Sequence, residues 1–121
     1  MRISVEAESC YLDRESDPSE RRYVFAYTIT IRNEGNEAGR LLNRHWWVTD
    51  GQGRVQEVAG VGVVGQQPRI PPGESFRYTS AAMLTTPVGA MHGHYEFAND
   101  DGEIFRVEIP AFGLRVPSIL H

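Results

Sequence analysis

No lysine occurs in this chain of 121 residues, and cysteine occurs once. Without an ε-amine there is no Schiff-base chemistry and no Walker-loop lysine to reach a nucleotide's phosphates. The single thiol, Cys10, excludes an internal disulfide and a multi-cysteine zinc site. In a strand-like segment with no histidine beside it, Cys10 reads as structural rather than reactive. Long apolar runs are also missing. The best of them, residues 61–64, is short and broken by Gly62, so membrane insertion is not expected. Residues 1–8 carry Glu6 and Glu8 where a secretory signal needs an unbroken apolar stretch, and the expected location is cytoplasmic. Finally, positive charge is not concentrated. All twelve basic residues are arginine, they are scattered, and the formal net charge is -4. A nucleic-acid surface gathers cations to displace counterions from phosphates, so nucleic acid is not an expected partner.

What is present is alternation. At 40% hydrophobic and 23% charged residues the composition is that of a globular chain, and its length suits one domain with a core of its own. Ile3, Val5 and Ala7 share one face of a first strand. Residues 13–22, charged and interrupted by Pro18, read as a surface loop. Tyr23, Phe25, Tyr27, Ile29 and Ile31 then alternate with Val24, Ala26, Thr28 and Thr30, a run rich in aromatic and β-branched side chains that predicts the strongest strand. Residues 33–36 turn the chain into a strand over 40–49. Asp50-Gly51 tolerates the backbone of a tight hairpin and leads into 54–58. Pro71-Pro72 cannot lie inside a central strand. Phe76, Tyr78 and Ser80 alternate in the next segment. Met91, Gly93, Tyr95 and Phe97 line one face of another, opposite His92, His94 and Glu96. Asn99-Asp100-Asp101-Gly102 predicts a hairpin into 104–109, and the proline-bearing tail, 110–121, is expected to run extended along an edge. About seven strands at ten-residue spacing, with no amphipathic helix, predict an all-β sandwich of the immunoglobulin or fibronectin-III type.

Several segments in order resemble the ApaG family. They begin at residues 23–33, YVFAYTITIRN, and continue through 60–68 (GVGVVGQQP), Pro72-Gly73-Glu74, Tyr78-Thr79-Ser80, 91–96 (MHGHYE) and Ile109-Pro110-Ala111-Phe112. The likeness covers essentially the whole chain and is weakest over residues 1–20. It implies a fibronectin-III-like sandwich, a bacterial protein linked to cobalt resistance and magnesium efflux, and no established enzymatic activity. Related domains in eukaryotic F-box proteins and in a polymerase-interacting protein look like partner-recognition modules, so a protein partner is expected here too.

Three candidate sites follow. Gly60, Gly62 and Gly65 match the letters of a dinucleotide fingerprint, but prolines rather than a helix come next, which excludes a Rossmann loop. A weaker form keeps the loop amides as an anion nest for a phosphate-containing small molecule, with Arg69 assisting; the alternative is that the glycines serve bulges or close strand packing. Family members often carry a glutamate between the first two glycines, and Val61 departs from that. His92, His94 and Glu96 stand at i, i+2 and i+4, about 6.5 Å apart on one strand face, a donor set that suits a divalent cation such as cobalt, nickel or zinc. The alternative is a solvated polar row, and His45 or His121 could complete a metal site. Trp46 and Trp47 must point to opposite faces of their strand. One is expected in the core, and the other, with Arg44 and His45, at a protein interface; the alternative is that it is covered by the carboxy-terminal tail or by the loop at residues 60–65. No nucleophile elbow or His-Glu-x-x-His motif suggests catalysis. An exposed strand edge leaves a homodimer open.

Overall fold

The computed structural model describes residues 1–117. Strand β1 (Ile3–Tyr11) is followed by two single 3-10 turns, Asp13–Glu15 and Pro18–Glu20. Then come β2 (Tyr23–Asn33), β3 (Gly39–Asp50), β4 (Val55–Val61), the two-residue β5 (Arg69–Ile70), β6 (Ser75–Leu84), β7 (Val88–Ala98) and β8 (Ile104–Arg115). All pairings are antiparallel. One sheet has the order β1-β2-β6 and the other β4-β3-β7-β8, with β5 attached to β3. The expected sandwich is observed, and β5 is the one strand not foreseen. Among the described residues no helix is long and apolar enough to cross a membrane.

Period-two alternation builds the core directly. Phe25, Tyr27, Ile29 and Ile31 of β2 are buried, as are Tyr95 and Phe97 of β7 and Trp46 and Val48 of β3. The indole of Trp46 meets Tyr27 edge-on at 5.5 Å between ring centroids, with Phe112 at 5.9 Å and Tyr95 at 6.4 Å. Such edge-to-face contacts add to the burial of the rings themselves. Tyr78 and Tyr95 reach across the sandwich and hydrogen-bond through their hydroxyls. Burial raises both phenols above their ordinary range, so each stays protonated and the pair satisfies itself inside the core.

Two irregularities decide which side chains face out. In β3 the register against β7 shifts between Leu41 and Asn43. The extra residue inverts the alternation, so that Leu41 is buried on one side of the bulge while Trp46 and Val48 are buried beyond it. In β8, Pro110 and Ala111 together oppose His92, since Met91 pairs with Phe112 and Gly93 with Ile109. Proline is tolerated at a bulge on an outermost strand because its missing N–H interrupts no ladder. The strand therefore continues to Arg115, where a tail beginning at Pro110 was expected; residues 118–121, with His121, lie outside the described residues.

One lateral edge of the sandwich is closed and the other open. β1 lies against β8, and Ser9 Oγ donates to Gly113 O at 2.7 Å. At the opposite side, among the described residues, β4 is held by β3 alone. Six of its seven residues are exposed, and Gly60 is half-buried.

Candidate functional site

The outer face of the five-stranded sheet gathers His45, His92 and His94. The β3 bulge turns Asn43, His45 and Trp47 outward, and the antiparallel register sets them opposite Glu96, His94 and His92 of β7. His45 stacks on Trp47 at 4.1 Å between centroids with 12° between planes, and His92 lies on the same indole at 5.4 Å and 13°. His94 is tilted against both, 5.2 Å from His45 and 5.7 Å from Trp47. Glu57 of β4, paired with Trp47, accepts the indole N–H at 2.9 Å through Oε1. Its other oxygen is 3.4 Å from His45 Nε2, near enough to attract but not aligned for a hydrogen bond. Among the described residues His45 Nε2 and His94 Nδ1 are buried without a hydrogen-bond partner.

The proposed donor row is only partly assembled. Glu96 accepts from Asn43 Nδ2 at 2.8 Å, and His92 is stacked on Trp47. Among the described residues no three His, Cys, Asp or Glu side chains are arranged to hold a metal ion. His45, which sequence left unplaced, lands opposite His94.

Burial, then the positive charges of Arg106 and His45, hold the His94 imidazolium below its usual pKa of 6.5, against the opposing pull of Glu108 and Glu96. The folded chain thus takes up this proton later than the unfolded chain as pH falls. The contribution is complete above pH 6.5 and is lost on acidification toward the lower folded value. In a proton NMR titration the His94 ring should titrate below 6.5. Chemical denaturation between about pH 7 and pH 5 should show His94→Gln losing less stability than the parent. A ring titrating at or above 6.5 would contradict the burial assigned to it.

The glycine segment forms a hairpin tip. Val63 and Gln66 exchange backbone hydrogen bonds at 2.8 and 2.9 Å, and the intervening Val64 and Gly65 are left-handed at φ 43° and 78°. Gly62, at φ 66°, donates to Leu42 O, and a Cβ on it would lie 2.2 Å from Gln66 O. The amides of Gly62, Val63 and Gln66 are therefore already used. The carbonyls of Val61 and Gly62 accept from Arg44 Nη1 at 3.1 and 3.0 Å, so part of the loop presents oxygen to a cation. Arg69 is not brought to this segment's service; its Nε and Nη2 hold Asp100 at 3.0 and 2.6 Å. Gly60 sits where any Cβ would be 2.9 Å from the Arg44 guanidinium.

Of the four expected interface residues, Trp46 is 2% exposed and belongs to the core. Trp47 and His45 lie on the outer face. Arg44 points inward at the open edge, because the bulge gives it the parity of Trp46. The partner of Trp47 that sequence reasoning missed is Glu57, which sits in a segment read only as the far arm of a hairpin.

A family model described as the ApaG domain matches residues 13–99. Protein ApaG of Azoarcus sp. (strain BH72) is 57% identical over 120 residues, covering 99% of this chain and 94% of its own. Protein ApaG of Klebsiella pneumoniae (strain 342) is 52% identical over 120 residues, at 99% and 96% coverage. A crystal structure of an ApaA protein from Bordetella pertussis superposes with a TM-score of 0.94 at 47% identity, covering 98% of this chain and 96% of that one. With the sandwich, the glycine hairpin and the histidine face all on one continuous match, this chain belongs to the ApaG family.

Proposed function

We propose that the domain is a cytoplasmic, non-enzymatic protein-binding module whose contact face is the outer surface of the five-stranded sheet, centred on Trp47. The observation that carries this reading is the indole stacked against two imidazoles, with its N–H fixed by Glu57. A large amphipathic side chain ordered before a partner arrives loses little freedom on binding, and tryptophan is a favoured anchor of protein interfaces. Val55 and Val61 flank it on β4, 60% and 69% exposed. Around it, Asn43 is engaged with Glu96 and Arg106 with Glu108. Cys10 is exposed and unpaired, which suits a reducing compartment. The link to cobalt resistance and magnesium efflux that the family resemblance implies is assigned to the partner, not to a metal on this face.

Cross-linked capture from the native cytoplasm tests the proposal. Trp47→Ala should lose the proteins recovered by the parent at least about tenfold, equivalent to about 1.4 kcal/mol at the anchor, and Trp47→Phe should restore part of the loss. Identical recovery by Trp47→Ala and parent would sink it.

A further inference from the structure

The two sheets are unequal, and the mismatch leaves a groove. Five strands face three, and among the described residues the side of the sandwich away from β1 and β8 has no strand over the inner face of β4. Gln56 and Val58, whose partners Val48 and Trp46 are buried, remain exposed there. A cleft of about 350 Å³ opens between β4 and β6, floored by Tyr27, Trp46, Val48 and Met91.

Both walls are unpaired strand edges. Asn33 N donates to Glu74 O, and this alternation assigns the backbone groups of Phe76, Tyr78, Ser80 and Ala82 to β2. The N–H and C=O groups of Ser75, Arg77, Thr79, Ala81 and Met83 are left pointing to the open side. Among the described residues, the only charged side chain lining the cleft is Arg44. It forms no ion pair among the described residues, and there only its Nη1 is engaged.

We infer that this groove binds an extended segment of another protein, apolar at alternate positions and with a carboxylate side chain at the Arg44 end, which adds to β6 as the missing fourth strand. Main-chain hydrogen bonds to a free edge supply affinity in this mode, and alternate side chains supply specificity. Here the inward side chains would cover Val58 and Trp46, while the carboxylate would meet the free donors of Arg44. The charge decides against a second copy of this chain as the occupant. Strand β6 contains no acidic residue and carries Arg77, so β6 against β6 would bring cation to cation. The one carboxylate of β4, Glu57, is already bonded to Trp47. The groove is separate from the Trp47 face, so the two readings stand or fall independently.

The probe is a blocked peptide of about eight residues, alternating valine and threonine with a glutamate at one end. Added to the labelled chain, it should shift and slow the exchange of the Thr79 and Ala81 amides and shift the Trp46 indole, with Kd below about 1 mM. Glutamine in place of the glutamate should weaken binding about tenfold, and Arg44→Gln should abolish that difference. N-methylation of the peptide's edge-facing amides should abolish binding while methylation of the alternate set should not, an arm that needs no altered protein. The inference is overturned by no binding, by shifts confined to the Trp47 face, or by equal affinity of the glutamate and glutamine peptides for the parent. It is equally overturned by a dimer in which the Thr79 and Ala81 amides are protected before any peptide is added.

Discussion

Trp46→Ala is expected to cost about 4 kcal/mol, and Trp47→Ala, one residue along, about 1 kcal/mol. The first removes a side chain 2% exposed and packed edge-on against Tyr27, Tyr95 and Phe112, leaving a cavity the stiff aromatic surroundings cannot close. The second removes an outer-face ring whose hydrogen bond to Glu57 is exposed. Against a typical total of about 5 to 15 kcal/mol, the first loss leaves the domain marginal and the second does not. Denaturant titration of both variants checks this: midpoints that move equally would mean that the inward and outward assignments in β3 are wrong.

Gly93→Ala should be nearly as damaging, at about 3 kcal/mol and a fall in Tm on the order of 10 °C. Gly93 lies opposite Trp46, and a Cβ there would sit 2.0 Å from the carbonyl oxygen of His45 and 3.1 Å from Trp46 Cα. Backbone cannot rotate away as a side chain can, so β3 and β7 would have to separate at the centre of the sheet. Gly113→Ala is the control, since a Cβ there meets nothing within 4 Å. It should be neutral or stabilising by up to about 1 kcal/mol through the unfolded chain. Calorimetry of the pair separates close approach from a general cost of placing alanine in a strand.

The fold was legible where alternation is uninterrupted. Residues 23–31 announce β2 and its buried face, and Asp50-Gly51 and Asn99-Gly102 announce the hairpins observed after β3 and β7. Errors arose where geometry is not periodic. Pro110 reads as a stop, yet a bulge opposite His92 absorbs it and β8 runs on. The 3-10 turns in 13–20 have only local hydrogen bonds to define them. The candidate face was half legible: spacing puts His92, His94 and Glu96 on one side of a strand, but only the cross-strand register can add His45, Trp47 and Glu57. The parity of Arg44 depended on the bulge at Leu42, which no residue type there signals. The glycine fingerprint was correctly denied a helix; that its carbonyls would face Arg44 required the hairpin's actual backbone.

The strand order also has a consequence for synthesis. β2 must wait for β6 and β3 for β7, so the segment between Asn33 and Ser75 has to emerge before the most apolar strand gains its second neighbour. At the usual rate of about 10 residues per second, that interval lasts a few seconds. During it a ribosome-bound chain displays Phe25, Tyr27, Ile29 and Ile31 without the sheet that later covers them, and its exposure to misassembly is set by the order in which neighbours are made.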